Sequence, residues 1–375
     1  MPFELPSDIS ALVEAVRAFS AEHLAPGSLE RSKGERFPRD VSQLLAGRGW
    51  SGLSSSKGAG GGILAAAAAL EAVARACARS GDAFHQLNFG ASLLLARHAH
   101  SDRQRAVLKD VAEGKAIVPI AITEDNAGAQ AAATQTAVAG GMLAGHKTYC
   151  SNSAEADAFV VYANFGSTVA DIGAVLIERN RPGLDIHAAG AFMNGESWCR
   201  LEFDNIAIGE EDIIFSAGGF VAKAGFFDVE KLGNAARALG LGWCAYDLAR
   251  AHALDRQQFG RPICEFQGIQ WKVAEARLQL EAAQLMLYRA AHRADEGRLT
   301  GDESSMAKIH CNRAALAAGD MAVQVMGAAG YSDAALAEYC FRKARGHMIN
   351  GGTIEMMLTR IAEAAFDRKF PQQAA

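Results

Sequence analysis

Apolar residues recur at helical spacing through most of the first 116 residues. Asp8-Ile9-Ser10 opens a segment carrying Leu12, Val13, Val16, Phe19 and Leu24, and Pro26-Gly27 closes it. The pattern predicts a second helix over 38–47 and then a turn-rich stretch from Gly49 to Gly62. Further helices are expected over 64–79, 85–100 and 101–113, with Gly114 ending the last. From 117 to 216 the period shortens to strand-like runs, among them 117–123, 134–138, 159–162, 174–177 and 199–203. Gly140-Gly141, Arg181-Pro182-Gly183 and Asp204-Asn205 punctuate them. From about Phe220 the helical period returns in four long segments, 228–254, 265–296, 300–326 and 338–364. Long helices with short connections predict an antiparallel bundle. The expected fold is therefore mainly α with a β middle domain. It comprises an N-terminal helical domain (1–116), a small antiparallel β domain (117–219) and a C-terminal four-helix bundle (220–375). Gly233, Gly240 and Gly242 sit badly in the first bundle helix unless close packing requires them.

Composition narrows the classes. Half of the 375 residues are hydrophobic and 21% are charged, which supports a large core rather than disorder. Lys and Arg number 37 against 42 Asp and Glu, and no basic run supplies the counterion release that nucleic-acid binding needs. Seven scattered cysteines form no C-x-x-C pair and read as reduced core thiols of a cytoplasmic protein. No signal peptide is expected. The most apolar stretch, Ile63 to Ala78, carries Glu71 and Arg75 and is too short and too charged to span a membrane.

Metal and phosphate chemistry find no motif. His98 and His100 are two apart on a predicted helix and do not face each other, so no metal site is expected. The run of Ser54 to Ser56 and Gly58 to Gly62 lacks the phosphate-loop lysine, and no G-x-S-x-G elbow occurs.

Four motifs carry the chemistry. They are Thr123-Glu124-Asp125-Asn126-Ala127-Gly128, Gly145-His146-Lys147-Thr148-Tyr149-Cys150-Ser151-Asn152, and Asp255-Arg256-Gln257-Gln258-Phe259-Gly260-Arg261-Pro262-Ile263. The fourth is Gln324-Val325-Met326-Gly327-Ala328-Ala329-Gly330-Tyr331, followed by Phe341-Arg342-Lys343-Ala344-Arg345 and Ile349-Asn350-Gly351-Gly352-Thr353. Together, in this order, they resemble the acyl-CoA dehydrogenase family. The resemblance extends over essentially the whole chain, including Phe37-Pro38 and Gly49-Trp50-Ser51-Gly52-Leu53. It implies the fold already outlined, with FAD between the β domain and the bundle. It also implies a homo-oligomer, usually a dimer of dimers in which the FAD tail crosses to a neighbouring subunit. The expected partners are an acyl-CoA or acyl-carrier thioester and an electron-transfer flavoprotein.

Forming an α,β-unsaturated thioester sets the requirements. The α-proton is weakly acidic and needs a carboxylate base beside it. The enolate oxygen needs hydrogen-bond donors, and the β-hydrogen leaves as hydride to flavin N5. Burial raises the base's pKa and excludes water. Many family members place the base directly before the Gly-Thr of the last motif, where this chain has Gly351. A subset, including isovaleryl- and long-chain-type enzymes, carries it on the first bundle helix, and Glu230 of Asp228-Val229-Glu230-Lys231-Leu232 matches that place. Glu230 is the expected base; the alternative is a first-turn acid favoured by the helix dipole, with Asp228 as the N-cap. The Gly351 backbone N–H carries over as oxyanion donor.

For FAD, the resemblance implies Ile122 and Thr123 at the ring edge, Gly128 at a close approach, Tyr149 stacking and Ser151 bonding near N5. Thr353 would contact the FAD of its own subunit. Arg256, Phe259, Gln324, Gly327 and Ala328 would reach a neighbour's FAD. Ala129 and Lys231 fall at substrate-contacting places, both as departures from the family pattern: a lost hydroxyl and a Lys for an Arg. Ala328 adds a methyl, Gln130 replaces an acid, and Lys343 reverses the charge of the family's Arg-Asp pair. Two competing readings stand beside the dehydrogenase: a flavin-dependent monooxygenase on the same fold, and a catalytically impaired partner subunit.

Overall fold

A computed structural model of the chain describes residues 4–56, 58, 60–216 and 224–370. The expected boundary at 219/220 lies outside these residues. The chain forms two compact units. One gathers Met1–Ser32, Lys57–Asp82 and Asp228–Ala375; the other comprises Lys33–Ser56 and Ala83–Phe227.

The first unit is helical. Three long helices, Ala224–Asp255, Gln267–Asp295 and Gly301–Met326, are called the first, second and third long helices below. The place of a fourth is shared by Leu336–His347 and Ile354–Ala365. The single segment expected over 338–364 is thus broken, because Gly351 and Gly352 take φ of +62° and +94°, which no continuing helix adopts. The helix Ile63–Ala76 packs on Ser7–His23 and on the second long helix. Nearly every side chain on it is buried, which explains its alanine-rich, all-round apolar sequence. Its Glu71 is buried too, accepting from the Tyr288 hydroxyl at 2.7 Å and from Gln284, and burial pushes its carboxyl up. Its N-terminus follows Gly62 and has no cap from its own sequence. Asp295, 232 residues away, accepts from the N–H groups of Ile63 (2.6 Å) and Leu64 (3.0 Å). Close packing explains two of the three glycines singled out in the first long helix, Gly240 and Gly242. A methyl on Gly240 would strike Glu71 O at 2.4 Å, and one on Gly242 would strike Leu280 at 2.7 Å.

The second unit is a sheet with short helices. Strands β1 (Ile120–Ala121), β2 (Ala137–Ala139), β3 (Met142–Ser151), β4 (Ala158–Asn164), β5 (Ile172–Glu178), β6 (Leu184–Ala191), β7 (Ser197–Ala207) and β8 (Ile213–Phe215) run in spatial order 6-7-3-2-4-5-8, with β1 beside β4. The pairing is antiparallel except that β1 and β2 meet β4 in parallel. Both β4 and β5 are buried on both faces, so they read as continuous apolar runs rather than alternating ones. Phe159, Val161, Val175, Leu201, Phe203 and Ile206 form the core. The helix expected over 85–100 is two, Ala78–Asn88 and Gly90–His98, divided where Gly90 takes φ +56°.

Candidate active site

In the helical unit, Glu230 lies half-buried on the first long helix. Asn234, one turn on, donates to Asn350 Oδ1 at 2.5 Å and accepts from Asn312 at 3.3 Å. Asn312 also donates to His347 O at 2.5 Å. Lys308, one turn before Asn312, is fully buried. Its Nζ donates to the carbonyl oxygens of Asn350 (2.6 Å), Gly351 (2.9 Å) and Gly352. Burial pushes the Lys308 ammonium down to about 7, Lys231 adds to that push, and the negative charge of Glu230 opposes it. The helix that carries Glu230 thus meets the 350–352 turn through Asn234 and Asn350, with Lys308 bound to the turn's carbonyls. A methyl on Gly351 would meet nothing nearer than Lys308 Nζ at 3.6 Å, whereas one on Gly352 would strike Met357 Cε at 2.7 Å.

The other expected residues of this unit divide by exposure. Thr353 caps the last helix, its hydroxyl accepting from Met356 N at 3.4 Å. Lys231 is buried, with its ammonium 2.6 Å from Asp228 and 3.2 Å from the Ser304 hydroxyl. Asp228 sits inside the helix and so does not cap it, contrary to the sequence expectation. Arg256 and Phe259 lie in the connection between the first and second long helices, where Phe259 is 93% exposed at φ +53°. Gln324, Gly327 and Ala328 are exposed at the end of the third long helix.

The reversed charge at Lys343 has an answer that the motif does not contain. Lys343 Nζ meets Asp82 Oδ2 at 2.7 Å, with Arg237 (3.2 Å) and Arg79 (3.3 Å) on the same buried carboxylate. Burial would raise the Asp82 carboxyl, but Lys343, Arg237 and Arg79 together hold it well below the usual range. Arg342 pairs with Glu338 at 2.8 Å. Burial and the adjacent Arg237 and Lys343 push His347 well below its ordinary value, so it is neutral.

In the sheet unit, the 122–124 segment and the end of β3 lie side by side, since Thr148 N–H donates to Thr123 O at 2.9 Å. Lys147 is fully buried, and its Nζ donates to Ile122 O (2.9 Å), Glu124 (2.7 Å) and Thr134 (2.9 Å). Burial would raise the Glu124 carboxyl, yet hydrogen bonds from Lys147, Thr134 and Gln135 N–H hold it at about 2. Its contribution to stability is accordingly full above about pH 4.5 and lost as the pH falls towards 2. Glu124→Gln loses the charge-assisted bonds and is expected to cost about 1–3 kcal/mol. Thermal melting at pH 7 checks this; an unshifted transition would contradict it.

This network fixes the frame for Tyr149. A register shift between Lys147 and Cys150 turns Tyr149 to φ +53°, a conformation bulky residues rarely adopt. Its ring stays 55% exposed, 4.5 Å from that of Trp198. Gly128 and Ala129 are exposed, and a methyl on Gly128 would meet nothing within 4 Å. Ser151 is exposed at the strand end, opposite Trp198. Ile122 and Thr123 are partly buried.

Neither Lys308, Asn234, Asn312 nor Asp82 was singled out from sequence. Lys308 did leave a trace, being a lone Lys among small and apolar residues at helical spacing (Ser304, Ala307, Cys311, Ala315).

Family models match three consecutive stretches: acyl-CoA dehydrogenase N-terminal domain over 6–115, middle domain over 119–206 and C-terminal domain over 217–366. The human short-chain specific mitochondrial acyl-CoA dehydrogenase is 31% identical, over 96% of this chain and 90% of its own. The chain belongs to the acyl-CoA dehydrogenase family. The short-chain specific acyl-CoA dehydrogenase of Clostridium acetobutylicum is 29% identical over 98% of this chain and 100% of its own. A glutaryl-coenzyme A dehydrogenase in complex with glutaryl-CoA superimposes with a TM-score of 0.91 at 26% identity, covering 100% of both chains. As an acyl-CoA dehydrogenase-family flavoprotein, the chain is an FAD-dependent oxidoreductase acting on the CH–CH bond of acyl-CoA. The residues present suit a flavin: the exposed, strained ring of Tyr149 offers a flat ring a stacking face, and Gly128 leaves open space for a close approach. No metal-binding cluster and no membrane-length apolar helix occur among the described residues.

Proposed function

We propose that the chain forms α,β-unsaturated acyl thioesters with Glu230 as the α-proton base. The observation that supports this is that Asn234, one turn after Glu230 on the same helix, holds Asn350 of the Lys308-bound turn, in which Gly351 carries no side chain. Glu230 takes the α-proton onto its carboxylate. The Gly351 N–H donates to the thioester oxygen, where negative charge develops. Bound FAD supplies the acceptor for the β-hydrogen, which leaves as hydride. Ile122, Thr123, Gly128, Tyr149, Ser151 and Thr353 would hold the FAD of their own subunit, and Ala129 and Lys231 stand at substrate-contacting places. Anaerobic addition of acyl-CoA is the test. Prompt loss of oxidised-flavin absorbance supports the reading, whereas hydroxylation that requires O₂ would favour a monooxygenase. Protein purifying without flavin would favour an impaired subunit, a reading weakened by Asp82, which gives Lys343 a proper partner.

We further propose a homo-oligomer, a dimer of dimers. Phe259 (93% exposed) and Tyr331 (80%) are large apolar side chains that a monomer gains nothing by exposing. Arg256, Phe259, Gln324, Gly327 and Ala328 would then reach a neighbour's FAD. Phe259→Asp is expected to lower the molar mass seen by light scattering and to weaken FAD retention; an unchanged oligomer would contradict it. Electrons would pass to an electron-transfer flavoprotein. Seven free cysteines, six of them buried, suit a reducing compartment such as the cytoplasm.

A further inference from the structure

We propose that Lys308 is a positioning residue for the reaction, aiming and polarising the peptide between Asn350 and Gly351 so that its N–H meets the thioester oxygen. This rests on the reading of the Gly351 N–H as oxyanion donor.

The geometry starts from the planar peptide. No cis bonds occur in the described chain, so the Asn350 C=O and the Gly351 N–H point in opposite directions from one plane. Lys308 Nζ holds that carbonyl at 2.6 Å. Fixing the carbonyl towards the buried ammonium fixes the N–H away from it, on the exposed side of Gly351. Among the described residues the Gly351 N–H donates to no protein acceptor, so it is available to a ligand.

The arrangement is also matched in number. An ammonium has three N–H donors, and three successive carbonyls, 350 to 352, turn inward to accept them, which favours the charged form against the burial that pushes it down. Without Lys308 the three inward-turned carbonyls would lose their shared donor. Positive charge against the carbonyl oxygen draws electron density through the peptide and strengthens the N–H as a donor. Asn234, holding the Asn350 side chain from the first long helix, fixes the same turn relative to the helix that carries Glu230. One buried cation would thereby tie the oxyanion donor to the base. The charge of Glu230 supports the cation in return.

The test is Lys308→Met, which keeps the chain's length and removes the charge. The probe is an acyl-CoA labelled with ¹³C at the thioester carbonyl, bound to the FAD-loaded protein. In the wild type, difference infrared should place the carbonyl stretch below its value in solution. In Lys308→Met the stretch should return towards the solution value. The rate constant of flavin reduction should fall about 10–100-fold, while the Kd of the enoyl product changes less than about threefold. Retained FAD with an unshifted stretch, or a Kd that rises in parallel with the loss of rate, would overturn the positioning role. If Lys308→Met does not fold, Lys308→Gln makes the same comparison, keeping a hydrogen-bonding head without charge. Failure of the parent reading looks different: the wild type itself would then show neither the lowered stretch nor flavin reduction.

Discussion

Glu230→Gln is expected to purify with FAD bound and to lose about 10²–10⁴-fold in the rate of flavin reduction by acyl-CoA. Gln fills the same volume and keeps the hydrogen-bonding head, so the fold and the 350–352 turn should persist. What it lacks is a basic oxygen for the α-proton. One nearby effect is on Lys308, whose ammonium loses the support of the Glu230 charge. Moving the carboxylate sharpens the assignment. Glu230→Gln combined with Gly351→Glu places a carboxylate where the resemblance implies that many family members carry it. The space exists, since a Cβ there lies 3.6 Å from Lys308 Nζ, but φ +62° costs a non-glycine residue about 1–2 kcal/mol. Partial recovery of rate is therefore expected, below the wild type and above Glu230→Gln. A double variant no faster than Glu230→Gln would mean that the turn cannot present a base.

Asp82→Asn should be the most destabilising single substitution in the helical unit. It removes a buried charge that Lys343, Arg237 and Arg79 share. Breaking a buried pair by deleting one partner costs about 3–5 kcal/mol, because the remaining charges stay buried uncompensated. Here three cations would face one another. The carboxyl is held well below its ordinary value, so this stability is complete above about pH 4 and lost only as the pH falls further. The variant's melting temperature should fall by on the order of 10 °C at pH 7. A pairing of Asp82→Asn with Lys343→Met should recover part of the loss, because two cations repel less than three. A single variant as stable as the wild type would show that the cluster is not compensating as its geometry indicates.

Local signals reach as far as local physics does. The alternation between helical and strand periods is visible because burial of one face imposes it, and the glycines at 240 and 242 point correctly to crowded helix crossings. The resemblance carried by four motifs supplies the family and the flavin. Long-range devices leave little trace. Asp295 caps a helix 232 residues away, and Lys343 finds Asp82 at a separation of 261. Neither Asp295 nor Asp82 stands out in its own neighbourhood. The break at 348–352 was hidden by apolar positions that keep helical phase on both sides, although the two adjacent glycines mark it. At the proposed site, Glu230 is conspicuous because Gly351 vacates the usual place. Lys308 is not conspicuous, since its partners are backbone carbonyls, and a carbonyl has no residue type to read.

The central claim is that Glu230 exchanges a proton with the substrate's α-carbon. A 3-thiaacyl-CoA, in which sulfur replaces the β-carbon, cannot undergo β-dehydrogenation but retains acidic α-hydrogens. Incubated in D₂O with the FAD-loaded wild type, it should gain deuterium at the α-carbon, as read by mass spectrometry. Glu230→Gln should reduce that exchange to the rate without enzyme. Exchange in Glu230→Gln as fast as in the wild type would contradict the assignment and place the base elsewhere.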